Sequence, residues 1–536
     1  MQKTLRSILL VFFGLTFLWS CESDLELQPE DNRKTAENAF KDPDAYKQFL
    51  AKLYAGLAVS GQEGPAGNPD LEGLDEGFSQ YIRLYFKMQE LTTDEAVIGW
   101  DDGTIKDLHA QNWTAGNEFI RTMYSRIMYQ IALTNEFIRQ TSDEKLDSRG
   151  VDGELRGNIE NFRAEARFLR ALSYYHALDL FGNPPFVTDE DPIGAFLPEQ
   201  IKRPALFDYI EGELLDIEDE IAAVGSNEYG RADQGAVWML LSKLYLNAEV
   251  YTGTAHNAEV IEYTNKVINS GYQLADSYKK LFLADNNTNG AQNEIIFPIT
   301  FNGKETQSYG GLTFIIHAAI GGDMKAADFG VSSGWAGLRT TSALVNKFQY
   351  QETEDEVIFE DNRGLFFTEG QSLEIDNISS FNDGYAVAKY RNVDVNGEPG
   401  SDETGEFVDT DFPMFRLADA YLMYAEAFVR GGGGSQANAV AYVNELRERA
   451  FGDSSENISA GELDLDFIIN ERARELYWEA HRRTDLIRFN RFSENGVWPW
   501  KGNVPQGTTT QEFRNLMPIP ASDLGVNTNL TQNDGY

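Results

Sequence analysis

The chain has 536 residues and a formal net charge of −40, with 85 acidic residues against 45 Lys and Arg. A charge of that size repels the phosphates of nucleic acid, so nucleic acid is not expected as a partner. Hydrophobic residues make up 42% of the chain and aromatic residues 12%, which excludes a disordered protein, and the length favours several domains or an extended helical array.

The N-terminus predicts a secretory signal. Lys3 and Arg6 precede an apolar stretch from Ile8 to Trp19, and a cysteine follows at Cys21. A helix that crosses a bilayer needs roughly 20 apolar residues, so this stretch is too short for a plain membrane anchor.

Cys21 is the only cysteine of the chain and therefore has no disulfide partner within it. Residues 18–21 resemble a bacterial lipobox, in which cleavage leaves a lipidated cysteine at the new N-terminus, and ordinary signal cleavage is the alternative. The acidic residues that follow resemble the tag that exports lipoproteins to the cell surface in Bacteroidetes. We expect a signal peptide at residues 1–20, a lipidated tether at 21–40 and a main domain at 41–536.

Helical periodicity dominates the next part of the chain. One face of the segment 158–181 carries apolar residues and a histidine at helical spacing: Phe162, Ala166, Leu169, Leu172 and His176. Gly182 ends that helix, and Pro204 begins a second one. Further helix pairs are predicted within 235–271 and 415–450, at a period close to the ~34 residues of tetratricopeptide repeats.

Two regions have the composition of ordered loops. Residues 272–412 are rich in Gly, Asn, Asp and Ser, with a strand signal at 293–303, and residues 56–115 have the same character. Because binding residues often lie on loops that a rigid scaffold positions, these regions are expected to carry the functional site.

No catalytic or metal-binding constellation stands out. The five histidines are isolated, with no pair at metal-ligand spacing. Residues 285–290, DNNTNG, are compatible with a structural calcium site, although a solvated turn explains them as well. With 85 acidic residues a pair of carboxylates is unavoidable, so a secreted glycoside hydrolase remains an alternative.

Residues 471–492 combine six arginines with aromatic residues, as nucleic-acid-binding helices do. Glutamates and an aspartate interleave with them at helical spacing: Glu471, Glu475, Glu479 and Asp485. We therefore expect intramolecular ion pairs that lock this helix against the body of the protein.

Five motifs in order resemble the SusD family, also called SusD/RagB, of outer-membrane glycan-binding lipoproteins. They are AEARFLRALSYYHALDLFG, LYLNAEVYTG, DFPMFRLADAYLMYAEA, INERARELYWEAHRRTDLIRF and the closing PIPASDLGVNTNLTQNDGY. The resemblance implies a mostly α fold, a tetratricopeptide-like scaffold of helical hairpins with an irregular, loop-rich lobe containing short strands. It also implies a surface protein without cofactor or catalysis that covers a SusC-like TonB-dependent transporter.

The resemblance extends to the starch-binding founding member of the family, through segments such as ELTTDEA and YGGLTF. It implies that an arc of aromatic residues, Trp100, Tyr309 and Trp335, holds a helical α-glucan. The polar partners implied are Arg83 and Asp75.

One position departs from the pattern, because Gly103 replaces an asparagine of the family. Asp101 or Asp102 is the candidate substitute for its hydrogen bond. We therefore predict a binding protein for starch or a related α-glucan, and Gly103 keeps a different glycan or a peptide open as the ligand.

Overall fold

The computed structural model describes residues 36–536, apart from 63, 66–69, 72, 73, 75 and 355. The predicted signal peptide, Cys21 and Asp75 therefore lie outside the described residues. The chain divides into two units, residues 1–46 and 47–536. In the described part of the first unit, helix α1 spans Ala36–Ala39 and the rings of Phe40 and Tyr46 lie 4.9 Å apart. Among the helices described, none combines the length and the apolarity that crossing a membrane requires.

Helices form the scaffold, as expected. In chain order they are α2 (Asp44–Ala58), α3 (Tyr81–Gln89), α4 (Lys106–Ala110), α5 (Glu118–Gln140), α6 (Asp143–Ser148), α7 (Gly153–Phe181), α8 (Arg203–Ile217), α9 (Gln234–Leu246), α10 (Ala248–Thr252), α11 (Asn257–Ile268), α12 (Gly311–Ala318), α13 (Ser342–Val345), α14 (Leu417–Val429), α15 (Gln436–Phe451), α16 (Leu465–Leu476), α17 (Arg482–Arg488) and α18 (Ala521–Leu524). Helices close in sequence pack together, with α7 on α8, α14 on α15, and α9 on α11 across the short α10. The predicted helix pairs are confirmed, and Gly182 follows the last residue of α7.

The strands are short and lie in the loop-rich part. They are β1 (Val97–Ile98), β2 (Ile295–Ile299), β3 (Leu338–Arg339), β4 (Tyr350–Glu352), β5 (Val357–Phe359), β6 (Phe366–Phe367), β7 (Ala386–Val387) and β8 (Phe412–Arg416). They form four antiparallel pairs, β1 with β3, β2 with β8, β4 with β5 and β6 with β7. The strand predicted within 293–303 is β2, and its partner β8 leads directly into α14.

Among the described residues, four α-helices lie where loops were predicted. Helices α3 and α4 fall within 56–115, and α12 and α13 within 272–412. Every residue of α3 and α12 is buried. Both α3 and α12 are short, with nine and eight residues, whereas helical periodicity needs about 10–12 residues to distinguish a helix from another short buried run. These two helices carry the candidate site described below.

The arginine-rich segment 471–492 is two helices rather than one. Helix α16 ends at Leu476, and the connection contains Trp478 and Ala480, both with φ of 61°. The expected ion pairs are confirmed. Arg482 lies 2.6 Å from Asp94, and the other buried arginines of this segment also pair with carboxylates elsewhere in the chain: Arg472 with Asp419, Arg483 with Asp179 and Arg488 with Glu426.

Candidate functional site

The β1–β3 pair brings two predicted aromatic residues together. The amide of Gly99 donates to the carbonyl of Gly337 at 2.9 Å, which extends the pair toward Trp100 and Trp335. The indole Nε1 of Trp100 donates to the carbonyl of Trp335 at 3.0 Å, and the two rings lie 6.4 Å apart. Gly337 is required here, because a Cβ atom at that position would lie 2.4 Å from Cε2 of Trp100.

Tyr309 joins these two residues from the turn before α12. Its ring lies 6.3 Å from that of Trp335, with 58° between the planes. The turn can approach α3 closely because Gly310 has no side chain, and a Cβ atom there would lie 2.2 Å from Cβ of Gln80. Trp100, Trp335 and Tyr309 thus form one curved surface, the aromatic arc, with Trp335 in the middle.

Helix α12 supports the aromatic arc from behind. The imidazole of His317 stacks on Trp335 at 4.7 Å with 22° between the planes, and Phe314 meets Trp100 edge-on at 5.9 Å. Burial lowers the pKa of His317, against the raising effect of the Ser333 and Glu406 carbonyls, which lie 2.7 Å and 3.0 Å from its two ring nitrogens. The buried helix accordingly fixes the backs of two rings whose other faces remain open to a ligand.

A cavity of about 640 Å³ opens in front of the aromatic arc. Its lining combines aromatic, acidic and basic side chains: Glu76, Phe78, Arg83, Trp100, Asp101, Asp102, Tyr309 and Trp335. Five of the six residues predicted for the site are thus brought together, while Asp75 lies outside the described residues. The volume lies within the ~300–1,000 Å³ typical of ligand pockets.

Arg83 contributes to the site mainly by holding the turn that carries Tyr309. It lies in the first turn of α3 and is 2% exposed, with its guanidinium 4.0 Å from the Phe78 ring and 4.4 Å from the Phe314 ring. Nη1 donates to the carbonyl of Tyr309 at 2.7 Å. Burial lowers the pKa of Arg83 to about 9, against the raising effect of Asp102 and Glu76, so the group stays charged at neutral pH. This charge holds the turn that displays Tyr309.

The acidic side chains form the outer edge of the cavity. The side chain of Asp101 is 82% exposed and its carboxylate pairs with Lys106, which also donates to Ser379 at 3.2 Å. Asp102 lines the same cavity. Both candidates for the hydrogen bond lost at Gly103 are therefore within the site.

The structure explains why Gly103 carries no side chain. Its φ is 46°, in the left-handed region, and a Cβ atom would lie 1.7 Å from Oε1 of Glu118. That carboxylate accepts from the amide of Thr104 at 2.8 Å. The space that an asparagine would need is thus filled by a carboxylate that holds the loop.

Gly103→Asn is therefore expected to destabilise the protein by about 1–2 kcal/mol, because the Glu118 carboxylate would have to turn away and lose its two hydrogen bonds to Thr104. Urea unfolding measures the change. Adding Glu118→Ala removes the colliding carboxylate, so the double variant should be more stable than the sum of the two single changes allows. A Gly103→Asn variant as stable as the parent would contradict the conclusion that the Glu118 carboxylate fills the space an asparagine needs.

The calcium suggested for residues 285–290 stays a prediction. In that turn the carboxylate of Asp285 accepts from Nδ2 of Asn289 at 2.9 Å and from the amide of Val395 at 3.3 Å. Across the described part of the chain, no group of three or more His, Cys, Asp or Glu side chains has the geometry of a metal site.

Several residues of the site had not been predicted: Glu76, Phe78, Phe314, His317, and Glu406, whose carboxylate accepts a short hydrogen bond from the Tyr309 hydroxyl. Each belongs to the site through a contact between segments distant in sequence, or through a segment without a distinguishing pattern. A single sequence offers no signal for contacts of this kind.

Comparison with known proteins gives the family. A model of the SusD family matches residues 359–536. The starch-binding protein SusD of Bacteroides thetaiotaomicron is 35% identical over 100% of this chain and 99% of its own. The SusD-like protein P2 of Formosa agariphila is 26% identical over 74% of this chain and 78% of its own.

A solved structure of similar fold is surface glycan-binding protein A from Bacteroides thetaiotaomicron in complex with laminarihexaose, with a TM-score of 0.69, 17% identity and coverage of 91% of this chain and 99% of that one. At that identity the likeness shows the fold alone, and it confirms the predicted fold class. Since a relative 35% identical aligns with the whole chain, this protein belongs to the SusD family.

Proposed function

We propose that this protein is a lipid-anchored, non-catalytic protein of the outer-membrane surface that captures starch or a related α-glucan and passes it to a SusC-like TonB-dependent transporter. The observation that carries the proposal is the aromatic arc, three rings displayed side by side on a cavity with a polar edge. The relative named as a starch-binding protein supports the choice of ligand.

The arc has the chemistry that a sugar chain requires. A pyranose ring has an apolar C–H face and a rim of hydroxyl groups, so an aromatic face binds the one while nearby polar groups bind the other. The planes of Tyr309 and Trp335 are inclined by 58° and those of Trp100 and Trp335 by 43°. Successive platforms inclined in this way suit a chain that curves, as α-1,4-linked glucan does.

The charges around the cavity favour a neutral ligand. Three carboxylates line it, from Glu76, Asp101 and Asp102, whereas the only basic residue among its lining residues is the buried Arg83. An anionic polysaccharide would meet repulsion from both the cavity and the net charge of −40.

Affinity electrophoresis tests the proposal directly. Residues 22–536 are run in native gels containing amylopectin, with laminarin, a β-glucan, as the matched neutral control. Retardation by amylopectin alone is the expected result. Retardation by laminarin alone would keep a glycan-binding function and replace the ligand, and free migration in both gels would contradict glycan capture.

Incubation with the same polysaccharides separates binding from hydrolysis. We expect no release of reducing sugar, because a binding protein holds the polysaccharide without cleaving its glycosidic bonds. Release above a heat-denatured control would favour the glycoside hydrolase alternative.

Lipidation rests on Cys21, so Cys21→Ala is expected to abolish incorporation of labelled fatty acid and to move the protein into the soluble fraction. A Ser20→Ala variant, which leaves the cysteine in place, is the matched control. Continued labelling of the Cys21→Ala variant would contradict the lipid anchor.

A further inference from the structure

One residue behind the aromatic arc is joined to two of its three rings, directly to Tyr309 and through His317 to Trp335. The carboxylate Oε1 of Glu406 accepts a short hydrogen bond from the hydroxyl of Tyr309. The backbone carbonyl of Glu406 lies 3.0 Å from Nε2 of His317, the ring that stacks on Trp335. Glu406 is therefore joined to Tyr309 by its side chain and to the support of Trp335 by its main chain.

The segment around Glu406 is itself held firmly. The carboxylate of Asp402 accepts from the amides of Glu406 at 3.1 Å and Phe407 at 2.9 Å. The carbonyl of Gly405 accepts from the amide of Ser332 at 2.8 Å, three residues before Trp335. Gly405 has a φ of 67°, and a Cβ atom there would lie 2.8 Å from the Ser332 nitrogen, so a side chain would separate the two segments.

Two contacts hold the ring of Tyr309 in place, the hydrogen bond to Glu406 and the packing against Phe407. The Phe407 ring lies 5.4 Å from the Tyr309 ring, and the hydrogen bond to Glu406 raises the pKa of Tyr309 to about 12. At neutral pH the hydroxyl is thus protonated and donates to Glu406, which leaves its lone pairs to accept from a sugar hydroxyl. Glu406 is not among the residues that line the cavity, so it acts through Tyr309 and His317.

We infer that Glu406 is the positioning residue that fixes the angle between Tyr309 and Trp335, and with it the curvature of the glucan that the site accepts. The inference rests on the proposed function. The physical reason is preorganisation. A rigid binding surface raises the affinity most for a ligand that already has the matching shape, because neither partner loses conformational freedom on binding. A flexible ligand adapts to a loosened surface, whereas a rigid ring of fixed curvature does not.

Two probes of equal composition test this. α-Cyclodextrin is a closed ring of six α-1,4-linked glucoses, and maltohexaose is the open chain of the same six units. In calorimetric titrations, Glu406→Ala is expected to weaken binding of the ring by about 10-fold and of the open chain by about threefold or less. Glu406→Gln keeps an oxygen that accepts from the Tyr309 hydroxyl, so the ratio of the two affinities should return to within about twofold of the parent value.

Tyr309→Phe provides a second, independent variant, because it removes the hydroxyl while leaving Glu406 in place. It should lower the same ratio, and combining it with Glu406→Ala should lower the ratio no further, since both changes break the bond between Tyr309 and Glu406. The sugar contact that Tyr309→Phe also removes affects the ring and the open chain alike, so it leaves the ratio unchanged. This outcome supports the inference even if Glu406→Ala alone folds poorly.

A merely structural role for Glu406 would weaken both probes equally. An unchanged ratio in Glu406→Ala and Tyr309→Phe, with the parent binding both probes, would overturn the inference and leave the proposed function standing. A parent that binds neither probe would instead contradict the proposed function.

Discussion

Replacing Trp335 with alanine is expected to weaken binding of α-glucan by about 100-fold, close to 2.7 kcal/mol of binding free energy. Trp335 is the middle ring of the aromatic arc, 6.4 Å from Trp100 and 6.3 Å from Tyr309. Its loss removes the central sugar platform and leaves His317, on which it stacks at 4.7 Å, facing the cavity. A gap in the centre also prevents a glucan chain from contacting the outer rings together.

Calorimetric titration with maltohexaose measures the loss. Trp335→Phe keeps a smaller platform and should recover part of the affinity. Trp238→Ala is the matched control, because Trp238 is a half-buried tryptophan of α9 whose Nε1 donates to Glu218 at 2.8 Å and which does not line the cavity. Binding by Trp335→Ala at the parent affinity would show that the ligand occupies another surface.

The scaffold was predictable where its helices are long, because apolar residues recur over several turns in α7, which has 29 residues, and in α8, which has 15. In α7, the face with Leu169 and Leu172 is buried, and the polar residues at the start of the helix reach solvent. Helices α3 and α12 have only nine and eight residues, too few for periodicity to distinguish a helix from another short buried run. The helices that support the binding site are thus the ones that sequence patterns do not reveal.

The site itself was predictable only through resemblance. Trp100 and Trp335 are 235 residues apart, and the strand pair that joins them is two residues long on each side. Local patterns cannot predict such a contact, whereas a family motif marks both positions at once. Glu406 and His317 carry no such mark, because their part in the site depends on which carbonyl or hydroxyl faces them after folding.

The second large effect is expected in the buried ion-pair cluster around Glu475. Its Oε1 lies 2.6 Å from Nη1 of Arg416 and forms a short bond with Arg449, while its Oε2 lies 3.1 Å from Arg363. All four side chains are almost completely buried. Each guanidinium was desolvated on folding, so its free energy depends on the carboxylates that surround it.

Glu475→Gln should therefore destabilise the protein by about 3–5 kcal/mol, because it leaves three buried guanidinium groups short of one negative charge. Urea unfolding measures the difference. Asp466→Asn is the control, since the pair of Asp466 with Arg491 is exposed and such pairs contribute about 0–1 kcal/mol. Equal stability changes in the two variants would contradict a special role for the buried cluster.

The same cluster gives the direction of a pH effect. Burial alone would raise the pKa of Glu475, but Arg449, Arg416 and Arg363 hold it well below the usual value. Burial would likewise raise the pKa of Glu471, but Arg363, Arg474 and Arg447 lower it to about 2. The unfolded chain then binds more protons than the folded one, so this stability is complete above about pH 4.5 and is lost as the pH falls. Between pH 5 and 3 the free energy of unfolding should consequently fall less steeply in Glu475→Gln than in the parent. Equal slopes of unfolding free energy against pH would show that other carboxylates cause the acid sensitivity.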